Sequence, residues 1–327
     1  MFGRIREELG NDENLGDNMK KRSIENILKN KKKAKVMAIS VVTAGILGVG
    51  AIVGFVVNNN KIANKKIKSN IVEAEENTYK ETSENEIIKG KNHTYKAEKN
   101  AVSPNEVRKM LDGKYEGKLK DKKVVFLTFD DGPSIQTEKV LNILEEKGVQ
   151  GTFFILGENI KKSEKNKDVI KKIVESGNSL GNHTYTHDFK KLYPGGNIDL
   201  DAFMKEYKDT ENELKEILGD NFKNNLVRFP GGENTRIYKK DKNLAETLKV
   251  FDEEGISSID WNALNGDAEG RSYSNDEMIN YVKRSSADKN HVVILMHDSA
   301  PKEKTVQILP EVIDYYKSQG YEFKIIG

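Results

Sequence analysis

Segments typical of β-strands alternate with segments typical of amphipathic helices from about residue 122 to the end of the chain. The apolar run KVVFLTF precedes the helical pattern TEKVLNILEEKG, and GTFFILG precedes KDVIKKIVESG. Further strand patterns, LVRF, ISSIDW, HVVILMH and YEFKII, are separated by further helical ones. Short links between strands and helices favour parallel strands joined by right-handed crossovers. The alternation therefore predicts an α/β fold, a distorted (β/α) barrel of about seven parallel strands.

Two adjacent carboxylates, Asp130 and Asp131, end the first predicted strand, and Gly132 and Pro133 turn the chain immediately afterwards. Like charges at the end of a buried strand repel each other, and burying either one unpaired is costly. In barrels of this kind the chemistry lies at the C-terminal ends of the strands. We therefore expect a functional site here, with a metal ion, an arginine or water balancing the charge.

The histidines restrict the kind of metal site that the chain can build. There are five histidines and no cysteine, so a metal must be held by His, Asp, Glu or backbone oxygen. His183 and His187 are four residues apart in NHTYTH, which lets both rings reach one point on a helical turn or in a loop. With one carboxylate they make a three-ligand site with an open position. Alone, the pair is equally consistent with a polar surface.

Three further predicted strands end in residues that can carry chemistry. RFPGG contains Arg228, which could pair with the aspartate that the metal does not bind, or could lie on the surface before a turn. IDW contains Asp260 and Trp261, and a lone tryptophan usually belongs to a core. ILMHD contains His297, a residue type that in isolation is more often structural after a buried strand. His291 begins that same strand, so we expect it at the opposite end of the barrel in a structural role.

The five strand-end motifs occur in the order T-F-D-D-G, H-T-x-x-H, R-x-P-x-G, D-W and L-x-H. This set resembles the polysaccharide deacetylases, the NodB homology domain of carbohydrate esterase family 4, and is similar to peptidoglycan N-acetylglucosamine deacetylases. The resemblance covers about residues 122–327. It implies a hydrolase that acts on carbon–nitrogen bonds other than peptide bonds.

The resemblance also implies a divalent metal ion and its ligands. Asp131, His183 and His187 would bind it. Zinc is the default metal, with cobalt, manganese and nickel as alternatives for two histidines and one aspartate. Such a metal would generate a nucleophile at neutral pH and would stabilise the oxyanion.

Four residues take catalytic roles by the same resemblance. Asp130 would be the general base toward the hydrolytic water, and Arg228 would hold it ionised and oriented. His297 would be the general acid that protonates the leaving amine, which leaves poorly unless protonated. Asp260 would hydrogen-bond to His297 and raise its pKa.

The substrate-binding residues implied by the resemblance include two departures from the family pattern. Trp261 and Leu295 would line a small pocket for the acetyl methyl group, and Pro230 and Gly231 would contact the substrate. The family commonly has an aromatic residue where this chain has Gly231, and many members have an Asp where it has Ser257. Because neither departure affects the metal, base or acid, we expect them to alter substrate preference while activity is retained.

The N-terminal part contains a predicted transmembrane helix. Residues 36–57 carry no charge, and a helix of this length is long enough to cross a bilayer. A cleaved signal peptide and a buried core helix are the alternatives. Residues 1–35 form a predicted cytoplasmic tail, because Lys and Arg are more frequent before the span than after it. The catalytic domain, residues 122–327, is therefore predicted to be extracellular.

Residues 58–121 form a predicted extracellular linker. The stretch up to about residue 105 is rich in Asn, Lys, Glu, Ser and Thr, so we expect a disordered stalk in which His93 is solvated. A short helix is predicted near Asn105, capped by Ser103 with Pro104 in its first turn.

The sequence thus predicts a membrane-anchored, metal-dependent enzyme that removes N-acetyl groups from a cell-envelope polysaccharide. Peptidoglycan N-acetylglucosamine is the first choice, since the anchor, the stalk and the absence of cysteine suit a Gram-positive type surface. Chitin-like polymers, poly-N-acetylglucosamine and xylan are alternatives, as are a non-catalytic sugar-binding protein and a different metallohydrolase. A net charge of +2 gives no large basic field for nucleic acid. The catalytic domain is expected to be monomeric.

Overall fold

The structure, a computed structural model, describes residues 84–327. The predicted cytoplasmic tail, the predicted transmembrane helix over residues 36–57 and the first part of the predicted linker lie outside the described residues. Within residues 84–327, no helix combines the length and the apolar character needed to cross a membrane.

Strands and helices alternate along most of the described chain. The strands, in chain order, are β1 (Ala101–Val102), β2 (Val124–Gly132), β3 (Gly151–Ile155), β4 (Ser179–Asn182), β5 (Leu226–Val227), β6 (Ser257–Ser258), β7 (Ala263–Leu264), β8 (His291–His297), β9 (Glu322–Phe323) and β10 (Ile325–Ile326). The α-helices are α1 (Pro104–Leu111), α2 (Ile135–Glu146), α3 (Gly157–Lys161), α4 (Glu164–Glu175), α5 (Phe189–Leu192), α6 (Leu200–Leu218), α7 (Glu233–Tyr238), α8 (Leu244–Glu254), α9 (Asn275–Ser285) and α10 (Glu303–Ser318). Short 3-10 helices cover Glu98–Asn100 and Pro194–Gly196.

Seven strands form a parallel sheet in the order β6-β5-β4-β3-β2-β8-β7, and β9 pairs with the start of β2. All the ladders of this sheet are parallel. Strands β6 and β7 are consecutive in the chain but lie at opposite ends of this order, so the sheet is an open half-barrel. The prediction of about seven parallel strands is confirmed. The sequence did not indicate β4, because Leu180 is its one large apolar residue.

The central strand β2 has two different faces. Its outward row packs with the surrounding helices through Val125, Leu127 and Phe129. Its inward row begins with Val124 and Phe126, which belong to a separate apolar cluster. The inward row then continues with Thr128 and Asp130, since side chains alternate along a strand. The interior therefore changes from apolar to polar toward the C-terminal ends of the strands.

The segment before β2 closes the N-terminal end of this interior. Strand β1 pairs in parallel with β10, and α1 buries Val107 and Met110 in the same cluster as Val124. The ring of Tyr115 meets His291 edge-on, with 5.6 Å between the ring centroids. Helix α1 confirms the predicted helix near Asn105, but the Ser103 side chain makes no capping hydrogen bond and donates instead to Glu106. His291 lies at the end expected for it.

The prediction of a disordered stalk up to about residue 105 is wrong for residues 84–105, which pack against distant parts of the described chain. His93, expected to be solvated, is 0% exposed, and its ring nitrogens contact Asn92 and Glu98 at 2.9 and 2.7 Å. Asn92 donates to the carbonyls of Leu180 and Ile326. Burial lowers the pKa of His93, against the opposing effect of Glu98. The partners of His93 are local, but those of Asn92 lie far along the chain, and the composition of the segment does not reveal them.

Candidate active site

The C-terminal ends of the strands bring the predicted metal ligands together. Asp131 ends β2, and His183 and His187 follow β4. One ligand atom of each of these residues lies within 4.8 Å of the other two. The sequence prediction that one aspartate of the pair approaches the two histidines therefore agrees with the geometry.

The hydrogen bonds around the cluster leave its nitrogen lone pairs available. His183 Nδ1 lies 2.9 Å from the carbonyl oxygen of Arg228. Because a carbonyl can only accept, Nδ1 carries the proton and Nε2 has a free lone pair. His183 Nε2 lies 3.6 Å from Asp131 Oδ1, and His187 Nε2 lies 3.9 Å from the same oxygen. That oxygen is buried and has no hydrogen-bond partner. A cation coordinated by these atoms would satisfy it, so the residues fit a divalent metal ion.

Two of the three cluster residues have left-handed backbone conformations. The φ angle is 74° at Asp131 and 58° at His187. Such angles are uncommon outside glycine and occur often at functional sites, where surrounding structure holds them. Asn159 contributes to holding Asp131, because its Nδ2 donates to the Asp131 carbonyl at 2.8 Å. The positions of these two ligands thus depend on backbone angles that the spacing of the residues in the sequence does not specify.

Asp130 and Arg228 form a buried ion pair beside the cluster. Arg228 Nη1 donates to Asp130 Oδ1 and to Thr128 Oγ1, both at 2.8 Å. Its Nε donates to the carbonyl of Ile259 at 2.9 Å, and the side chain is 0% exposed. The other Asp130 oxygen, Oδ2, lies 3.7 Å from His183 Nε2. One oxygen of the carboxylate is therefore held by the arginine while the other faces the cluster.

His297 is hydrogen-bonded to Asp267, a residue that was not among the predicted site residues. Its Nδ1 lies 2.8 Å from Asp267 Oδ1, and its backbone N–H donates to Asp267 Oδ2 at 2.8 Å. Burial by itself lowers the pKa of His297. The hydrogen bond and charge of Asp267, with the charges of Asp130 and Asp131, outweigh burial and raise it to about 9. His297 is therefore cationic at neutral pH, and Asp267 occupies its Nδ1.

The prediction that Asp260 hydrogen-bonds to His297 is wrong. Asp260 accepts from the backbone N–H groups of Glu233 and Asn234, at 2.8 and 2.7 Å, and so caps the start of α7. Burial raises its pKa, although these two hydrogen bonds oppose the shift. The strand-end signal was present for Asp267, which follows β7. That strand was missed because it consists of two residues, Ala263–Leu264.

The residue after His297, Asp298, connects two strands of the site. Asp298 is fully buried and accepts from Thr137 Oγ1 at 2.5 Å. Its backbone N–H donates to the Asp130 carbonyl at 3.0 Å. Burial raises the pKa of its carboxyl group to about 7. Asp298 therefore ties the end of β8 to the end of β2, between the two ion pairs of the site.

The predicted substrate residues Pro230 and Gly231 lie on the loop after β5. The Pro230 carbonyl accepts from the Tyr193 hydroxyl at 3.0 Å. Gly231 has φ 77°, and a Cβ placed there would lie 3.2 Å from the ring of Phe189. Gly232 has φ 84°. The loop therefore needs glycine for its conformation and for the space beside it.

The predicted pocket residues Trp261 and Leu295 come from different elements. Leu295 precedes His297 by two residues in β8 and so lies on the same face of that strand. Trp261 is half-buried, and a Cβ at Gly232 would approach its Cη2 to 2.8 Å. A shared acetyl pocket for Trp261 and Leu295 stays a prediction. Ser257 Oγ donates to Asn105 Oδ1 at 3.0 Å, so this departure contacts the N-terminal segment.

Comparison with known proteins agrees with this constellation. Residues 117–249 match the family model described as polysaccharide deacetylase. The chain is 32% identical over 223 residues to a peptidoglycan-N-acetylglucosamine deacetylase of Bacillus cereus. The aligned residues cover 67% of this chain and 74% of that protein. It belongs to the polysaccharide deacetylase family. Members of this family are hydrolases that act on N-acetyl groups and generally use a divalent metal ion.

Two further relatives extend the similarity of this polysaccharide deacetylase. A putative polysaccharide deacetylase of Bacillus subtilis is 31% identical over 211 residues, which are 62% of this chain and 67% of that protein. A carbohydrate esterase family 4 structure from Streptococcus mutans is 35% identical, with a TM-score of 0.67, and covers 75% of this chain and 99% of that one. That share exceeds the predicted domain of residues 122–327, consistent with the packed segment before β2.

Proposed function

We propose that this polysaccharide deacetylase is a metal-dependent enzyme that removes N-acetyl groups from peptidoglycan N-acetylglucosamine. One observation carries the proposal. The Asp131, His183 and His187 cluster lies beside a carboxylate held by a buried arginine, with Asp130 Oδ2 3.7 Å from His183 Nε2. This arrangement provides a metal site and a base in one place, as amide hydrolysis requires.

The cation would be held by Asp131, His183 and His187, because their free ligand atoms lie close enough together to coordinate one ion. When bound, a divalent cation supplies Lewis acidity, which activates water and stabilises negative charge on the acetyl oxygen. Zinc suits two imidazoles and one carboxylate, and cobalt, manganese or nickel are alternatives.

Asp130 would take the proton from the attacking water. Arg228 occupies Oδ1 and keeps the carboxylate in place, while Oδ2 faces the cluster. The arginine also supplies the positive charge that partners this buried carboxylate. Asp130 is thereby oriented as a general base, and its neighbour Asp131 is left to the metal.

His297 would protonate the nitrogen that leaves. Asp267 holds its Nδ1 and raises its pKa to about 9, so the ring carries a proton at neutral pH. A protonated amine is a far better leaving group than an amide anion. Asp267 takes the supporting role that the sequence analysis gave to Asp260.

Peptidoglycan as the substrate is supported by the similarity to the peptidoglycan-N-acetylglucosamine deacetylase of Bacillus cereus. The proposal also places the catalytic domain outside the cell, on a single-pass anchor over residues 36–57 with the N-terminus inside. A monomeric catalytic domain is part of the same proposal. Chitin-like polymers, poly-N-acetylglucosamine and acetylated xylan are the competing substrates, because loops around the site decide substrate choice.

Acetate release by the full-length chain, purified in detergent, tests the proposal. Peptidoglycan, chitin oligomers and acetylated xylan would be compared with and without a chelator, beside Asp130→Asn. Release from peptidoglycan that a chelator stops, and that the variant lacks, supports it. A folded, metal-loaded chain that releases acetate from none of these polymers would instead indicate a sugar-binding protein.

A further inference from the structure

Phe189 is an exposed aromatic residue at the edge of the candidate site. It is 45% exposed, and large apolar side chains exposed to this degree are few in the described part of the chain. Its ring centroid lies 5.2 Å from that of His187, in an edge-on arrangement. Its position beside His187 places this exposed apolar surface where a bound substrate could contact it.

The ring of Phe189 also packs against Tyr193. Tyr193 meets it at 5.5 Å between centroids, again edge-on. Tyr193 is itself fixed, since its hydroxyl donates to the Pro230 carbonyl and the Arg236 guanidinium lies 4.0 Å from its ring centroid. Edge-on aromatic contacts of this kind restrict ring motion. Phe189 therefore has two aromatic neighbours while 45% of it stays exposed.

The glycines of the loop after β5 keep the space beside this ring open. A Cβ at Gly231 would lie 3.2 Å from two ring atoms of Phe189. A Cβ at Gly232 would lie 2.8 Å from Trp261 Cη2. A side chain at Gly231 would therefore crowd Phe189, and one at Gly232 would crowd Trp261.

We propose that Phe189 is a sugar-binding platform that packs against a pyranose ring of the bound polysaccharide. In this chain it supplies the aromatic surface that is missing at Gly231. The ligand class follows from the proposed substrate, because the CH face of a pyranose is flat and apolar and can pack on an exposed aromatic ring. This inference rests on the proposed deacetylase function and names a specificity residue for it.

The platform would act on binding of the polymer and leave the chemical step largely unchanged. Phe189 contacts the ring of His187 but contributes no ligand atom, base or acid. Its removal should therefore raise KM for an oligosaccharide with little change in kcat. A purely structural role would instead lower metal content and thermal stability together with kcat.

Binding of N-acetylchitohexaose to the full-length, metal-loaded chain provides the test. Calorimetric titration in an Asp130→Asn background measures affinity without turnover, and the fluorescence of Trp261, the single tryptophan of the chain, gives a second readout. We expect Phe189→Ala to weaken binding roughly tenfold and Phe189→Tyr to retain it. Phe189→Leu, which keeps bulk without a ring, should resemble Phe189→Ala. Tyr238→Leu removes another exposed aromatic, 87% exposed on α7, and serves as the matched control.

The outcomes separate the two proposals. Phe189→Ala binding within about twofold of the parent, or a hexamer that does not bind the parent, would overturn the platform. An equal loss in Tyr238→Leu would also count against it. Loss of metal or of thermal stability in Phe189→Ala would assign the residue a structural role. The deacetylase function fails separately, if the chain with Asp130 intact releases no acetate from any acetylated polymer.

Discussion

The carboxylate of Asp267 holds His297 at two points, its side-chain Nδ1 and its backbone N–H, each at 2.8 Å. One oxygen serves each contact, so the imidazole can neither rotate nor exchange its proton-bearing nitrogen without breaking the pair. Asp260, which the motif order had suggested for this role, instead caps α7. Substitutions of Asp267 and Asp260 should therefore have different effects on the pH dependence of activity.

Asp267→Asn should lower activity and move the alkaline limit of the pH profile to lower pH. A general acid must be protonated, so the rate falls as pH rises through its pKa, which is about 9 for His297. A bound cation would offset the charges of Asp130 and Asp131, so the limit should lie at or below that value. Removing the charge of Asp267 lowers it further, with roughly a hundredfold loss of kcat. Initial rates of acetate release between pH 6 and 10 provide the measurement.

Asp260→Asn is the control for this profile. An amide has one acceptor oxygen, so one of the two hydrogen bonds to the start of α7 is lost and the free energy of unfolding should fall by about 1 kcal/mol. The alkaline limit should stay where it is in the parent chain. A shift in Asp260→Asn with none in Asp267→Asn would contradict the assignment of the acid's partner.

His187→Ala should abolish tight metal binding, since it removes one of three ligand atoms that lie within 4.8 Å of one another. The fold should survive, because the side chain of His187 is 29% exposed. Metal content after dialysis, measured by atomic emission, and circular dichroism test this. His291→Ala, at the other end of β8, is the matched histidine variant and should retain the metal. Equal metal content in the two variants would exclude His187 as a ligand.

Arg228→Met should strongly destabilise the chain, because it leaves Asp130 buried without its ionic partner. Breaking a buried pair in this way costs about 3–5 kcal/mol. Asp130→Asn should cost less, since the amide oxygen can still accept from Arg228 Nη1. The double variant should recover part of the loss without recovering activity. Urea unfolding measures these free energies, and a double variant no more stable than Arg228→Met would contradict the pairing argument.

Deletion of the chain up to residue 121 should prevent stable folding of what remains. The cut removes Val107, Met110 and Tyr115, which are buried against Val124 and its neighbours at the closed end of the half-barrel. Each such side chain contributes about 1.5–3 kcal/mol, so the loss is comparable to the whole stability of a domain. A chain beginning at residue 84 should fold. Similar melting temperatures for the two would show that the segment is dispensable.

The sequence identified the elements whose signals are local. Long apolar runs such as β2 and β8 and helices with clear periodicity were predicted near their observed positions. Strands β4 and β7 were missed, because four or two residues with few apolar side chains carry no periodicity to detect. Their pairing comes from neighbours already in the sheet. The segment of residues 84–121 was assigned to a linker by composition, yet it packs at one end of the domain.

The sequence by itself determined the α/β class, the parallel sheet and the chemical types that meet at its C-terminal edge. These depend on periodicity within each segment and on the order of motifs along the chain. Both can be read from the sequence without knowing any contact between distant residues. Only the tertiary structure decided which aspartate partners His297, that His93 is buried, and that Phe189 lies beside Gly231. Each of these depends on contacts between residues distant in the chain. A carboxylate at 260 or at 267 looks equally suitable in one dimension, and its distance from His297 is set by how β7 and β8 pair.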